Sequence, residues 1–342
     1  MERILSRNRL HGRLLLVYSM TTTADALLKY YTLAQRIRIV EERIAAEYSK
    51  GEMRCPVHLS IGQEIVSAAV GMAQETSDTA VSSHRAHAHY LAKGGDLYRM
   101  IAEIFGRVTG CCKGRGGSMH LIDLSVGFLG SSAIVGNSIP VGVGAGFTHK
   151  LDKSGQLAFT FFGDGATEEG AFFESVNFAT VNQIPVVFLC ENNLYSVYTN
   201  LSPRQPASRK IHEMVAAMGL KSFEVNSLDP LVCLEETLAH VSWARENQTP
   251  IFLEYKTYRW LEHCGPNDDD GLEYRPNGEL NAWKLQDPLT TLRESLVANH
   301  SATFSELEAI DSAITTEVSL VFEKVRKDQF PTLSDSMQDV YA

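Results

Sequence analysis

No stretch of this chain approaches the roughly 20 consecutive apolar residues that a membrane-spanning helix requires; runs such as Leu14–Val17 are far too short. Positive charge is scarce: 31 Lys and Arg stand against 41 Asp and Glu, a formal net charge of −10. That balance excludes nucleic acid and anionic membrane as main partners. The six cysteines (Cys55, Cys111, Cys112, Cys190, Cys233, Cys264) contain no Cys-x-x-Cys pair and no regular framework. Each then reads as a small apolar residue in a reducing compartment, and a cytoplasmic location is expected over the mitochondrial matrix. There is no internal repeat, no low-complexity tract and no zinc pattern. His84, His87, His89 and His120 lack a companion cysteine or carboxylate set. The glycines of Val141–Gly146 lack the preceding strand and following acid of a dinucleotide loop, and read instead as a helix that packs closely.

What is present is an ordinary globular composition, 44% hydrophobic and 21% charged over 342 residues. Arg3, Arg7, Arg9 and Arg13 face a single acid, Glu2, at the start. An Arg-rich leader can be a transit peptide, but the early acid and poor apolar periodicity favour an extended start with Met20 as initiator. The expected organisation is a leader over 1–23, one domain over 24–330 and a tail over 331–342.

Apolar residues at three- and four-residue spacing from Leu27 to Ile44 predict an amphipathic helix over 24–50, and a second helix is expected over 63–74. Between Lys93 and Pro140 glycine is dense, which reads as loops passing close to something. From Leu157 strands and helices alternate: strands at 157–162, 184–190, 222–225 and 250–255, helices at 168–182, 210–219 and 230–246. The strands are near-continuous apolar runs, as in sheets buried on both faces. Repeated βα units predict an α/β fold with a doubly wound, mainly parallel sheet flanked by helices. Residues 258–281 read as a long polar surface loop, and helices are expected over 287–299 and 304–327.

Ligands of such sheets bind beyond the carboxyl ends of the strands. One strand ends in Gly163-Asp164-Gly165, the next in Glu191-Asn192-Asn193, with 26 residues between Gly165 and Asn192. Glycines there let backbone N–H groups approach a phosphate. Asp164 would repel that phosphate unless a hard cation lay between, and Mg²⁺ takes carboxylate, amide and phosphate oxygens. Asp164, Asn193 and the Tyr195 carbonyl are therefore the candidate ligands. Either motif alone is more often a turn; Glu168-Glu169 is more often a solvated first helical turn, although Glu169 is a candidate to hold a metal-bound water.

These two motifs, together with His58-Leu59-Ser60-Ile61-Gly62-Gln63-Glu64, His84-Arg85-Ala86-His87, Lys113–His120 and Ile134-Val135-Gly136, resemble the alpha subunits of thiamine diphosphate-dependent 2-oxoacid dehydrogenases, of pyruvate and acetoin type, over residues 25–325. The resemblance implies a thiamine diphosphate-binding fold and the cofactors thiamine diphosphate and Mg²⁺. It implies that Gly165 and Ala166 offer N–H groups to the diphosphate, with Arg85 and Arg259 as cationic clamps and His84 beside them. Val135 would wedge beneath the cofactor, and the backbones of Ala133 and Val135 would bond its aminopyrimidine. His58 and His263 would face the reacting carbon, handling protons or the substrate carboxylate. The activating glutamate would come from a beta subunit in an α₂β₂ heterotetramer, and the acyl group would pass to a lipoyl-bearing acyltransferase. Two departures stand out: His84 replaces a usual Tyr, and Trp260–Pro266 replaces a usual His-Gly-His-Ser run. Cys264 then stands where mitochondrial relatives carry a phosphorylated serine, so that control is not expected. The activity implied is decarboxylation of a 2-oxo acid, most simply pyruvate. An acetoin dehydrogenase alpha subunit, a stand-alone thiamine-dependent transferase of a biosynthetic pathway and a non-catalytic binding subunit are the alternatives.

Overall fold

The computed structural model of the chain describes residues 23–336 and residue 338; nearly all of the expected leader lies outside them. In chain order the elements begin with α1 (Ala24–Tyr48), α2 (Glu64–Ala73), β1 (Thr79–Ser82), α3 (His87–Ala92), α4 (Leu97–Ile104), β2 (Phe128–Ser131), α5 (Ser138–Asp152) and β3 (Ala158–Gly163). After a 3₁₀ turn at Asp164–Glu168 come α6 (Gly170–Val181), β4 (Val186–Asn192), a small hairpin of β5 (Tyr195–Ser196) and β6 (Thr199–Asn200), and α7 (Leu201–Arg204). The chain continues through α8 (Ile211–Ala217), β7 (Lys221–Val225), α9 (Pro230–Asn247), β8 (Ile251–Lys256), α10 (Glu279–Lys284), α11 (Pro288–Ala298), α12 (Phe304–Val325) and α13 (Leu333–Ser336).

Local chemistry explains several helix starts. Thr23, Asp96, Asp229 and Asp287 each accept a hydrogen bond from a first-turn N–H, and Pro230 and Pro288 stand just inside two of those helices. Thr303 and Glu306 form a reciprocal capping box on α12.

The main sheet runs β2-β1-β3-β4-β8-β7, and every neighbouring pair is parallel. Successive side chains of a strand point to opposite faces. Phe159, Phe161, Val187, Leu189, Ile251 and Leu253 accordingly enter a core shared with α1, α2, α9, α11 and α12. Ala158, Phe162, Val186, Phe188, Cys190 and Phe252 enter a second core with α5, α6 and α8. The doubly wound parallel sheet is thus as expected, and the glycines of α5 do what close packing requires. A Cβ on Gly142 would stand 2.7 Å from Thr160 Cβ, and one on Gly146 2.9 Å from Ile184 Cγ2.

Two expectations are corrected. The glycine-dense stretch contains a regular helix, α4, and its 112–117 loop closes on the protein itself. The Glu103 carboxylate accepts from the N–H groups of Cys112 (2.7 Å), Gly114 (2.9 Å), Gly116 (2.6 Å) and Gly117 (3.3 Å). Residues 258–281 are not simply a surface loop. Arg259, Asp269 and Arg275 are all buried there, Asp269 pairing with both arginines at 3.2 and 3.1 Å. Three like-placed charges survive burial because each has an opposite partner. No helix among the described residues is long and apolar enough to cross a membrane.

Candidate active site

The strand order reverses between β1 and β3, and a cleft of about 650 Å³, mouth included, opens where β1, β3 and β4 end. Such switch points are where parallel sheets bind ligands. The end of β1 leads into Ser83, His84 and Arg85; β3 ends at Gly163 and Asp164; Asn193 follows β4. Asp164 is 1% exposed, and burial raises its carboxyl pKa although Arg204 opposes the rise. A cation already meets it: the Arg204 guanidinium contacts Asp164 with one nitrogen and Glu168 Oε1 at 2.5 Å with another. A Cβ on Gly165 would stand 2.8 Å from Ser196 Oγ and 3.5 Å from Arg204, so only glycine leaves that floor open.

Behind this edge runs a buried chain of hydrogen bonds. Ser82 Oγ meets His89 Nδ1 at 2.7 Å, and His89 Nε2 meets Glu191 Oε1 at 3.1 Å. Gln63 Nε2 donates to Glu191 at 3.2 Å, Asn193 Nδ2 donates to Gln63 Oε1 at 3.1 Å, and Tyr195 N–H donates to Asn193 Oδ1 at 3.2 Å. The chain fixes Asn193 and Tyr195 relative to β1. Flanking Tyr195, Leu194 and Val197 hold φ of +71° and +54°. A β-branched residue in that region is strained, and such strain collects at functional loops.

At the other end of the cleft three histidines meet. The His58 and His84 ring centroids are 4.5 Å apart, His58 and His263 5.1 Å, His84 and His263 5.2 Å, all edge-to-face. Burial first, then positive neighbours including Arg85, holds their pKa values down at about 2, 4 and 3 for His58, His84 and His263. All three are therefore neutral imidazoles near pH 7. Arg85 itself is buried, with burial and then Arg259 lowering its pKa to about 10. It donates to Leu59 O at 2.5 Å and His263 O at 3.2 Å, tying together the loops that carry the histidines.

A family model described as "Dehydrogenase E1 component" matches residues 32–334. The chain belongs to this family. A pyruvate dehydrogenase E1 component subunit alpha of Rickettsia bellii is 34% identical over 305 residues, covering 89% of this chain and 92% of the relative. One from Porphyra purpurea is 35% identical over 312 residues, 89% of this chain and 90% of its own length. A testis-specific mitochondrial alpha subunit of Rattus norvegicus is 33% identical over 324 residues, 94% of this chain and 81% of its own.

In this E1 component the fold brings most of the expected residues to one cleft. Asp164, Gly165, Ala166, Asn193, Tyr195, Val135, His84, Arg85 and His263 line it. His58 joins through its ring contacts with His84 and His263. Ala133 sits in the turn before α5, whose tip carries Val135, half exposed. Arg259 is not a lining residue: it is buried, donating to Leu261 O and Val197 O at 2.6 Å each and to Asp269 at 3.2 Å. Its Nε is buried without a partner. The histidines weighed above as a zinc pattern separate. His87 bonds Glu41 at 2.8 Å and Ser118 at 2.7 Å, and His89 belongs to the Glu191 chain. Sequence reasoning assigned no role to Gln63, Glu191, Ser196 or Arg204. Gln63 and Glu191 adjoin motifs quoted above; nothing local marks Arg204.

Proposed function

We propose that this chain is the alpha subunit of a pyruvate dehydrogenase, decarboxylating a 2-oxo acid with thiamine diphosphate and Mg²⁺ and passing the acyl group to a lipoyl-bearing acyltransferase. The observation that carries this reading is the single cleft that holds Asp164 and Asn193 at one end and His58, His84 and His263 at the other. The donor set fits a hard divalent cation: a buried carboxylate already facing a guanidinium, an oriented amide, and the Tyr195 carbonyl. The Gly165 floor and the Ala166 N–H fit a diphosphate, and Arg85, which lines the cleft, supplies positive charge. Thiamine diphosphate, when bound, supplies the nucleophilic carbon and the electron sink that loss of CO₂ from a 2-oxo acid requires.

The chain's own residues do the rest. Val135, with the Ala133 and Val135 backbones, would support the ring end of the cofactor. Neutral His58 and His263 would hold the substrate carboxylate by donating hydrogen bonds rather than as an ion pair, since their pKa values lie well below neutral. Either can also accept a proton through a free ring nitrogen. A beta subunit would complete the site. Val141 of α5 and Phe173, Phe178 and Val181 of α6 are exposed apolar residues, consistent with a covered face. An α₂β₂ assembly is the simplest form. All six cysteines are free, in keeping with a reducing cytoplasm.

The test is acetylation of a lipoyl domain from pyruvate by the chain co-expressed with its beta subunit. Pyruvate decarboxylation with no acylated lipoyl domain would instead indicate a stand-alone transferase. An αβ complex that binds no thiamine diphosphate in calorimetry would sink the enzymatic reading.

A further inference from the structure

We propose that His58, His84 and His263 form a binding site for a borderline divalent transition-metal ion of the Zn²⁺ class, separate from the hard-cation position at Asp164 and Asn193. The three residues come from different parts of the chain: the loop before α2, the end of β1 and the loop after β8. One ring nitrogen from each lies within 4.8 Å of the other two. Among the described residues none of the three imidazoles has a hydrogen-bond partner, and His58 Nδ1 is buried and unsatisfied. Buried polar groups left unpaired are rare in folded proteins and ask for an occupant.

Chemistry narrows the occupant. Three imidazoles with an open fourth position are a familiar zinc donor set, whereas carboxylate and amide oxygens select Mg²⁺. Metal–nitrogen bonds of about 2.0–2.1 Å in a tetrahedron put the nitrogens roughly 3.4 Å apart. Closing the present spacing, within 4.8 Å, to that value is the rearrangement that metal binding would require. The imidazoles are neutral at pH 7 because burial depresses their pKa values, so no proton has to leave before a metal binds. Two features moderate affinity. Arg85, pinned between Leu59 and His263 carbonyls, opposes a dication. Among the described residues no carboxylate or carbonyl is hydrogen-bonded to the rings, a lack that typically weakens metal binding about 10–100-fold. His84 is the decisive member, since it adds the third ligand to the pair that the proposed function assigns to substrate. Metal and substrate would therefore exclude each other; only that consequence rests on the proposed function.

The test uses the full chain with millimolar Mg²⁺ present to occupy the hard-cation position. Co²⁺, a spectroscopic stand-in for Zn²⁺, is titrated in, followed by Zn²⁺. The expected result is one Co²⁺ per chain with the visible absorption of a four-coordinate nitrogen-rich site, displaced by Zn²⁺. His84→Tyr and His263→Gln should each weaken binding at least tenfold and remove the absorption, and Asp164→Asn should leave it. Circular dichroism checks that each variant is folded. Absorption that survives both histidine variants, that disappears with Asp164→Asn, or that never saturates would overturn the site. Neither thiamine diphosphate nor pyruvate enters this measurement, so its failure and that of the proposed function are separable.

Discussion

Two glycine-rich loops in this molecule each surround a buried carboxylate, and they answer it differently. Around Glu103 the loop 112–117 turns four backbone N–H groups inward, at 2.6 to 3.3 Å. Around Asp164 the loop Gly163–Gly165 leaves the side chain to a single guanidinium from Arg204. Backbone donors cannot leave without unfolding the loop, whereas a side chain can swing away. The Glu103 site is therefore closed and structural; the Asp164 site is open to exchange. A third state is that of His58, whose buried Nδ1 is answered by nothing. Glycine density alone does not distinguish these cases. What does is whether the polar group at the centre has a fixed partner, a replaceable one or none.

The contrast can be broken most decisively at Glu103. Glu103→Ala removes a buried carboxylate and leaves four part-buried N–H groups without it, and losing several charge-assisted hydrogen bonds at once costs about 3–5 kcal/mol. Urea unfolding monitored by far-UV circular dichroism should show a loss of that order; a loss below about 1 kcal/mol would mean the loop holds itself. Asp164→Asn should behave in the opposite way. Its stability should move by less than about 1 kcal/mol, because the buried carboxyl it replaces is itself costly and Arg204 retains Glu168. Binding of thiamine diphosphate with Mg²⁺ to the αβ complex, measured by calorimetry, should nevertheless fall at least about 100-fold, the loss of a charge-assisted contact worth roughly 3 kcal/mol. Unchanged affinity would remove Asp164 from the site.

Why some of this was legible in sequence and some was not follows from where each signal resides. Val186–Cys190 reads as a strand because burial on both faces demands a continuous apolar run. The four-residue strands β1 and β2 carry serine, threonine and glycine, and their strand character comes from pairing beside β3, not from composition. Helix α4 has apolar Leu97, Met100, Ile101 and Ile104 at helical spacing behind an Asp96 cap, a local signal overshadowed by the glycines that follow. At the site, the strand-end motifs named Asp164 and Asn193 directly, and the family resemblance pointed to His58, Arg85 and His263. Their mutual contact was not readable, because residues 58, 84 and 263 meet only when three loops converge. Nor was the role of Arg259, whose partners Asp269 and Tyr274 lie in a segment that looks solvated. Arg204 lies 40 residues from Asp164 in sequence and reaches it through the β5–β6 hairpin.

That replaceable contact gives a smaller and more pointed effect. If Arg204 occupies the place of the cation, Arg204→Gln should tighten Mn²⁺ binding to the chain about tenfold, since one charge-assisted hydrogen bond, worth about 1.5–3 kcal/mol, no longer competes. Electron paramagnetic resonance of free Mn²⁺ reads this without any turnover. Weaker binding in the variant would show that Arg204 supports the cation position and does not block it.

The smallest effect belongs to the unanswered histidines, and its sign follows from linkage. His84 has a pKa of about 4 when folded, below its ordinary 6.5, with burial the first cause and Arg85 the second. Between those values the unfolded chain binds the proton and the folded chain does not, so stability rises with pH across that window. On acidification from pH 6.5 toward 4 the wild-type chain should therefore lose stability, His84 contributing about 1 kcal/mol per pH unit, somewhat under the full one-proton slope because solvent reaches the ring. His84→Tyr, which does not titrate there, should lose correspondingly less. Urea midpoints at pH 7.0, 6.0 and 5.0 for the two proteins give the difference directly, and background titration elsewhere in the chain cancels in it. Parallel slopes would mean that the His84 imidazole can take up its proton within the fold. The cluster would then lack the neutral, partner-free character that sets it apart from the answered carboxylates.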